Sequence, residues 1–250
     1  MSKVYEALLR ARADQDLVRH GERSATVVVR KPEITDTGRL PALQMEEEMA
    51  RLFHNVTGLL PDSQRGIIQF IGSQKNEGTS TISREFGLFL AAKANKSILL
   101  VDADRTHLPQ HQALGVPPKI SLQWIVNYGG SMEEAICPIK ISQLFLCRLY
   151  EESGKKSRSA FMVNHSELWS RLRKRFDFIL IDSSSMGASD EAFSLCSSMD
   201  GVILVVEAEK TRSRVVANLK TRVGQSEGRV LGLVFNKQRY YIPAWIYKRL

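Results

Sequence analysis

At 250 residues, with 43% hydrophobic and 25% charged side chains, the chain suits one large domain and excludes disordered, collagen-like and coiled-coil classes. No stretch approaches the ~18 apolar residues that span a bilayer, the N-terminus carries charge with no apolar signal core, and Cys137, Cys147 and Cys196 share no metal-like spacing, so a reducing, cytoplasmic setting is expected. The formal charge of +8 is uneven: residues 210–250 hold ten Lys and Arg against Glu227 alone, a balance of +9, read as a solvated face beside an anionic ligand, with no nucleic-acid partner because no such motif accompanies it.

Residues 3–18 predict an amphipathic helix, with Val4, Leu8 and Ala11 on one face and Ser2 as its candidate cap. Residues 20–43 contain Pro32, Gly38 and Pro41 without a sustained period and predict a linker, in which ATVVVR is a candidate short strand. The next segment, QMEEEMARLFHNVTGLL, puts Met45, Met49, Leu52, Phe53, Val56 and Leu60 at helical spacing. After Pro61 the pattern changes to short apolar runs: 67–72, 97–102, 176–182, 201–207 and 230–236. Runs this short and rich in Ile, Val, Leu and Phe predict strands covered on both faces. Helix-like segments separate them, as at 80–94 and 166–175. The alternation predicts an α/β fold with a doubly wound, mostly parallel sheet over residues 44–250, preceded by a helix-and-linker region over 1–43. Ligands of such sheets sit beyond the carboxyl ends of the strands.

The residues just after each run carry the chemistry. SQKNEGTST follows the first run and opens a helix, an arrangement that aims free N–H groups and the helix dipole at an anion. Set against G-x-x-x-x-G-K-[ST], Gly78 fills the second glycine and Ser80 the magnesium hydroxyl, while Ser73 stands at the first glycine and Thr79 at the lysine. Alone, that is a generic turn before a helix. Its weight comes from VDAD, which ends the second run with Asp102 and Asp104, and ILID, which ends the third with Asp182. Carboxylates at buried strand ends hold magnesium and orient an attacking hydroxyl. Asp102 and Asp104 are therefore candidate catalytic residues, and Ser80, Asp102, Asp104 and Asp182 candidate metal ligands. The candidate nucleotide contacts are Ser73, Lys75, Gly78, Thr79, Ser80, Thr81 and Asn236, the last as an amide for a purine edge.

With these motifs in place the chain resembles, almost end to end, the bacterial tyrosine kinases of capsule and exopolysaccharide export, P-loop ATPases related to the partition and septum-positioning ATPases. MSKVYEALLRA, EEMARLFHN, IIQFIGSQKNEGTST, SILLVDADRTHLP, ISLQWIVNYGGSMEEAI, SELWSRLRKRFDFILIDSSS, DGVILVVEAEKTR and GLVFNKQRYYIPAWIYKRL carry the likeness. It implies ATP and Mg2+ as cofactors, a membrane-embedded polysaccharide chain-length (co-polymerase) partner, and a place at the inner face of the membrane through that partner. Three departures qualify it. Thr79 replaces the catalytic lysine, so nucleotide binding is expected to be weak or lost, with Lys75 the nearby substitute. Aligned on Glu47, the arginine positions of the family's assembly helix hold Ala50 and Phe53, although Arg51 remains, which puts the family ring in doubt. The tail has only Tyr240, Tyr241 and Tyr247, where relatives cluster tyrosines, and is expected to pack on the domain. The leading expectation is a regulatory homologue with attenuated or lost tyrosine kinase activity; the alternatives are an active autokinase and a partition-type positioning ATPase.

Overall fold

A computed structural model of the chain describes residues 25–30, 45–105, 107–141, 143–151, 165–187 and 190–238. The predicted helix over 3–18 and the tyrosine-bearing tail lie outside the described residues.

Eight strands form one sheet: β1 (Ala25–Arg30), β2 (Gly66–Gly72), β3 (Ile98–Asp102), β4 (Cys137–Pro138), β5 (Leu144–Arg148), β6 (Phe178–Asp182), β7 (Gly201–Glu207) and β8 (Val230–Gln238). Their order is β1-β8-β7-β2-β6-β3-β5-β4, and every pairing is parallel except β4 with β5. The helices are α1 (Glu46–Thr57), α2 (Thr79–Ala92), α3 (Pro109–Leu114), α4 (Leu122–Tyr128), α5 (Met132–Ala135), α6 (His165–Arg173), α7 (Glu191–Ser194) and α8 (Ser213–Gln225).

Every residue of β2, β3 and β6 is buried, which is why these strands read as unbroken apolar runs rather than as alternating ones. Alternate side chains serve two cores. Ile68, Phe70, Leu100, Phe178 and Leu180 join Met49, Leu52 and Val56 of α1 and Phe86 and Leu90 of α2. Ile67, Leu99, Val101, Ile179 and Ile181 join Leu122 of α4, Met132 of α5 and Leu168 and Trp169 of α6. The sheet is thus the middle layer of three.

Two sequence readings take definite form here. The candidate strand in the linker region is present: ATVVVR is β1, and it extends the sheet edge by pairing with β8 from Ala25↔Gly232 to Val28↔Phe235. Phe53 turns inward, with its ring centroid 6.2 Å from that of Phe89 and 6.1 Å from that of Phe178. It is half-buried against the core, whereas Ala50, Arg51 and His54 on the same helix are exposed.

Position in the sheet sets the site. β2 lies between β6 and β7, the chain runs to β3 on one side and later to β7 and β8 on the other, and the reversal opens a crevice at the carboxyl end of β2.

Candidate functional site

The turn between β2 and α2 is built by Gly72, Gly78 and Glu77. A Cβ on Gly72 would lie 2.5 Å from Thr79 Oγ1, so the strand end and the helix start meet too closely for any side chain. Gly78 caps α2 at φ 92°, and a Cβ there would lie 2.0 Å from Asn236 Nδ2. Only glycine takes that backbone conformation without strain. The cap supplies no side-chain acceptor, which leaves the first-turn N–H groups of Thr79, Ser80 and Thr81 aimed outward, as an anion requires.

Glu77 braces this turn from behind. Its buried carboxylate accepts from the N–H of Ser73 at 2.6 Å, the N–H of Gln74 at 2.8 Å, Ser73 Oγ at 2.7 Å and Thr211 Oγ1 at 2.6 Å. Ser73 is therefore a structural member of the loop, held at 1% exposure. From the other side Asn236 Nδ2 donates to the Glu77 carbonyl at 2.7 Å, while Asn236 Oδ1 accepts from the Lys237 N–H at 2.9 Å. Asn236, expected at a purine edge, is in this structure committed to the loop. Lys237 adds a third grip: its ammonium donates to the Asn76 carbonyl and pairs with Glu207 at 3.1 Å. Lys75, on the same turn, is exposed.

The acidic corner lies on the opposite side of the loop. Asp102 and Asp182 end neighbouring strands as direct register partners, 0% and 1% exposed. Asp102 Oδ2 accepts from the N–H of Gln110 at 2.9 Å, the N–H of His111 at 3.4 Å and His111 Nδ1 at 3.3 Å. Asp182 Oδ2 accepts from Gln110 Nε2 at 2.7 Å, and the Ser80 hydroxyl bonds to the same carboxylate. Burial, reinforced by the Asp102 charge, raises the Asp182 carboxyl to about 7. Gln69, buried in β2, ties the strand to the turn after Asp182 by donating to Ser183 Oγ at 2.8 Å and the Ala192 carbonyl at 2.7 Å.

The Oδ1 atoms of Asp102 and Asp182 are both buried without a hydrogen-bond partner. Orphaned buried carboxylate oxygens are costly, and two of them beside a serine hydroxyl fit a hard divalent cation. Two carboxylates and a hydroxyl are the protein donors Mg2+ uses, its other ligands coming from water and phosphate.

The structure therefore brings Ser80, Asp102 and Asp182 together and places Asp104 on the rim, where its carboxylate accepts from the His107 N–H at 3.1 Å. Sequence reasoning missed Glu77, Lys237 and Gln110. Lys237 and Gln110 take partners remote in the chain, and Glu77 joins its local bonds to Ser73 and Gln74 with a remote one to Thr211, so the pattern of the motif carries no signal for them.

No protein-family model matches the chain. Among curated proteins it is similar to tyrosine-protein kinase CpsD of Streptococcus agalactiae, 26% identical over 212 residues, which covers 82% of this chain and 89% of CpsD. It is also similar to the succinoglycan biosynthesis transport protein ExoP of Rhizobium meliloti, 25% identical over 182 residues, covering 72% of this chain but 23% of ExoP. Among solved structures its fold matches the kinase domain of Escherichia coli tyrosine kinase ETK, with a TM-score of 0.72 at 14% identity over 87% of this chain and 93% of that one. The resemblance read from the motifs thus extends over most of the chain.

Proposed function

We propose, from the premise that this chain is a divergent relative of the bacterial tyrosine kinases, that it serves exopolysaccharide biosynthesis or export as a regulatory subunit with attenuated or lost phosphoryl transfer. One observation carries the reading. At the position of the catalytic lysine stands Thr79, whose hydroxyl faces the Gly72 backbone, and no ammonium group replaces it within the turn. Lys75 is exposed, and the Lys237 ammonium is held by Asn76 and Glu207. Charge stabilisation of the transferred group is commonly the largest catalytic contribution.

The rest of the site supports nucleotide binding of reduced strength. Ser80, Asp182 and Asp102 would hold Mg2+, which supplies neutralising charge to the phosphates when bound. The first turn of α2 receives the phosphates on its free N–H groups, and Glu77 keeps that turn in shape. Residues 44–250 form the kinase-like domain, with β1 added to its sheet edge. The partner in this reading is a membrane-embedded co-polymerase, and the subunit sits in the cytoplasm at the membrane through it. Among the described residues no helix is long and apolar enough to cross a membrane. With Phe53 turned into the core and Ala50 exposed, the isolated protein is expected to be a monomer or weak dimer. Light scattering at micromolar concentration checks this, and a stable ring with or without Mg-ATP would contradict it.

A second reading, an active autokinase, has one observation in its favour: Lys75 is exposed and unpaired among the described residues. An autophosphorylation assay with radiolabelled ATP separates the two. The regulatory reading expects little or no label on the purified protein. Rapid labelling that Lys75→Ala abolishes would establish the second.

A further inference from the structure

We infer that Gln110 is a built-in occupant of the cation position between Ser80 and Asp182, so that a divalent ion enters only after the start of α3 withdraws this side chain. The inference rests on reading that corner as a divalent-cation site.

Gln110 is 0% exposed. Its amide nitrogen donates to Asp182 Oδ2 at 2.7 Å and the Ser80 carbonyl at 2.7 Å, and reaches Ser83 Oγ at 3.1 Å. Three oxygens converging on one small, partly positive group is the environment a bound cation would find. The residue's own N–H donates to Asp102 Oδ2, so Gln110 touches both carboxylates of the corner. An amide 2.7 Å from Asp182 occupies space that a Mg2+ ion or its coordinated water needs, because Mg2+ demands near-octahedral geometry at roughly 2.0–2.1 Å.

The amide also has a fixed orientation. Rotated by half a turn, Gln110 would present its oxygen to the corner and become a ligand instead of a competitor. Arg84, half-buried one turn along α2 from Ser80, prevents this by donating Nη1 to Gln110 Oε1 at 3.3 Å and to the Ser80 carbonyl at 3.4 Å. A rotated amide would set its NH2 group against the guanidinium. With Arg84 beside it and Gln110 within it, the acidic corner has a partial counter-charge in the absence of metal, while both Oδ1 atoms keep no partner.

A ligand whose competent state is a minor population binds more weakly by that fraction. The probe is Mn2+ alone, without nucleotide, followed by electron paramagnetic resonance on the full chain, with Tm of the metal-free protein recorded beside it. Gln110→Ala is expected to bind Mn2+ at least ~10-fold more tightly than the wild type, the factor by which a resident that leaves the open form at a tenth of the population weakens binding. Gln110→Asn, whose amide is one methylene too short to reach Asp182, is expected to gain in the same direction and serves if the alanine variant fails to fold. Asp182→Asn should cancel either gain. Folded Gln110 variants that bind Mn2+ no more tightly, while Asp182→Asn weakens wild-type binding, would overturn the inference and leave the site standing. Mn2+ binding indifferent to Asp182→Asn in every background would overturn the site and the inference with it.

Discussion

The loop after β2 and the acidic corner beside it face one crevice, and under the proposed function they depart from a working phosphoryl-transfer site in opposite ways. The loop has kept its shape and lost a charge. Glu77, Asn236 and Lys237 grip it from three directions, yet position 79 carries a hydroxyl. The corner has kept its charge, with Asp102, Asp182 and Ser80 in place, and is filled by a neutral amide from Gln110. The contrast shows that framework and chemistry are separable within one site. The bracing bonds contribute to folding, so they persist whether or not nucleotide is turned over. A catalytic lysine aimed at a phosphate contributes little to folding, and its removal leaves the loop intact.

The sharpest way to break this contrast is to restore the charge. Thr79→Lys is expected to raise phosphoryl transfer by about 10²–10³, the range measured when a single preorganised donor is removed elsewhere, and to tighten Mg-ATP in calorimetry. A variant that folds and gains neither would mean that the corner, and not the loop, limits activity.

Next in size is the brace. Glu77→Ala leaves the buried N–H of Ser73 and the partly buried N–H of Gln74 without their acceptor, and a buried orphan costs ~1–3 kcal/mol, so urea unfolding should show a loss of roughly 2–4 kcal/mol. Glu77→Gln keeps one acceptor oxygen and should lose about half as much. A neutral Glu77→Ala would show that the loop holds itself.

For the corner, pH is the lever. Asp182 in the folded chain titrates at about 7 because of burial and the neighbouring Asp102, against 3.8 when unperturbed. Between those values the folded state holds a proton that the unfolded chain releases, so stability falls as pH rises from about 4 to about 7 and stays reduced above. In chelator, the wild-type Tm should therefore decline across that window relative to Asp182→Asn, which has no such proton to lose. Parallel profiles for the two proteins would mean that Asp182 stays ionised throughout.

Both regions were only half legible in the sequence, for a physical reason. The runs that became β2, β3, β6 and β7 announced themselves because both faces of each are covered. The edge-side β5, LFLCR, was missed because Phe145 and Arg148 within it are only half-buried, and the run reads as an ordinary loop end. Gly78, Ser80, Asp102 and Asp182 were readable because their roles follow from standing at a strand or helix end. Glu77 adds to its local bonds with Ser73 and Gln74 one to Thr211, 134 positions away, and Gln110 meets Asp182, 72 positions away. Such roles belong to the folded chain alone. Phe53 belonged to an apolar stripe and to an assembly motif at once, and packing on Phe89 and Phe178 decided for the first.

Asn236 offers the smallest effect and the finest discrimination. Its alanine variant removes the donor to the Glu77 carbonyl and the acceptor for the Lys237 N–H, and two partly buried groups left unpaired cost about 1–2 kcal/mol in all. Asn236 and Glu77 grip the same turn from opposite sides, so their effects should not add. A double-mutant cycle with Glu77→Gln is expected to return a coupling of ~0.5–1 kcal/mol. Because the amide nitrogen is engaged by the loop and the oxygen by the Lys237 N–H, Asn236→Ala should weaken adenine and guanine nucleotides alike, through loop shape. If calorimetry instead shows adenine nucleotides losing affinity while guanine nucleotides keep theirs, the amide reads the base as the sequence first indicated. The loop contacts of Asn236 would then be its resting arrangement, exchanged for the purine when ligand arrives.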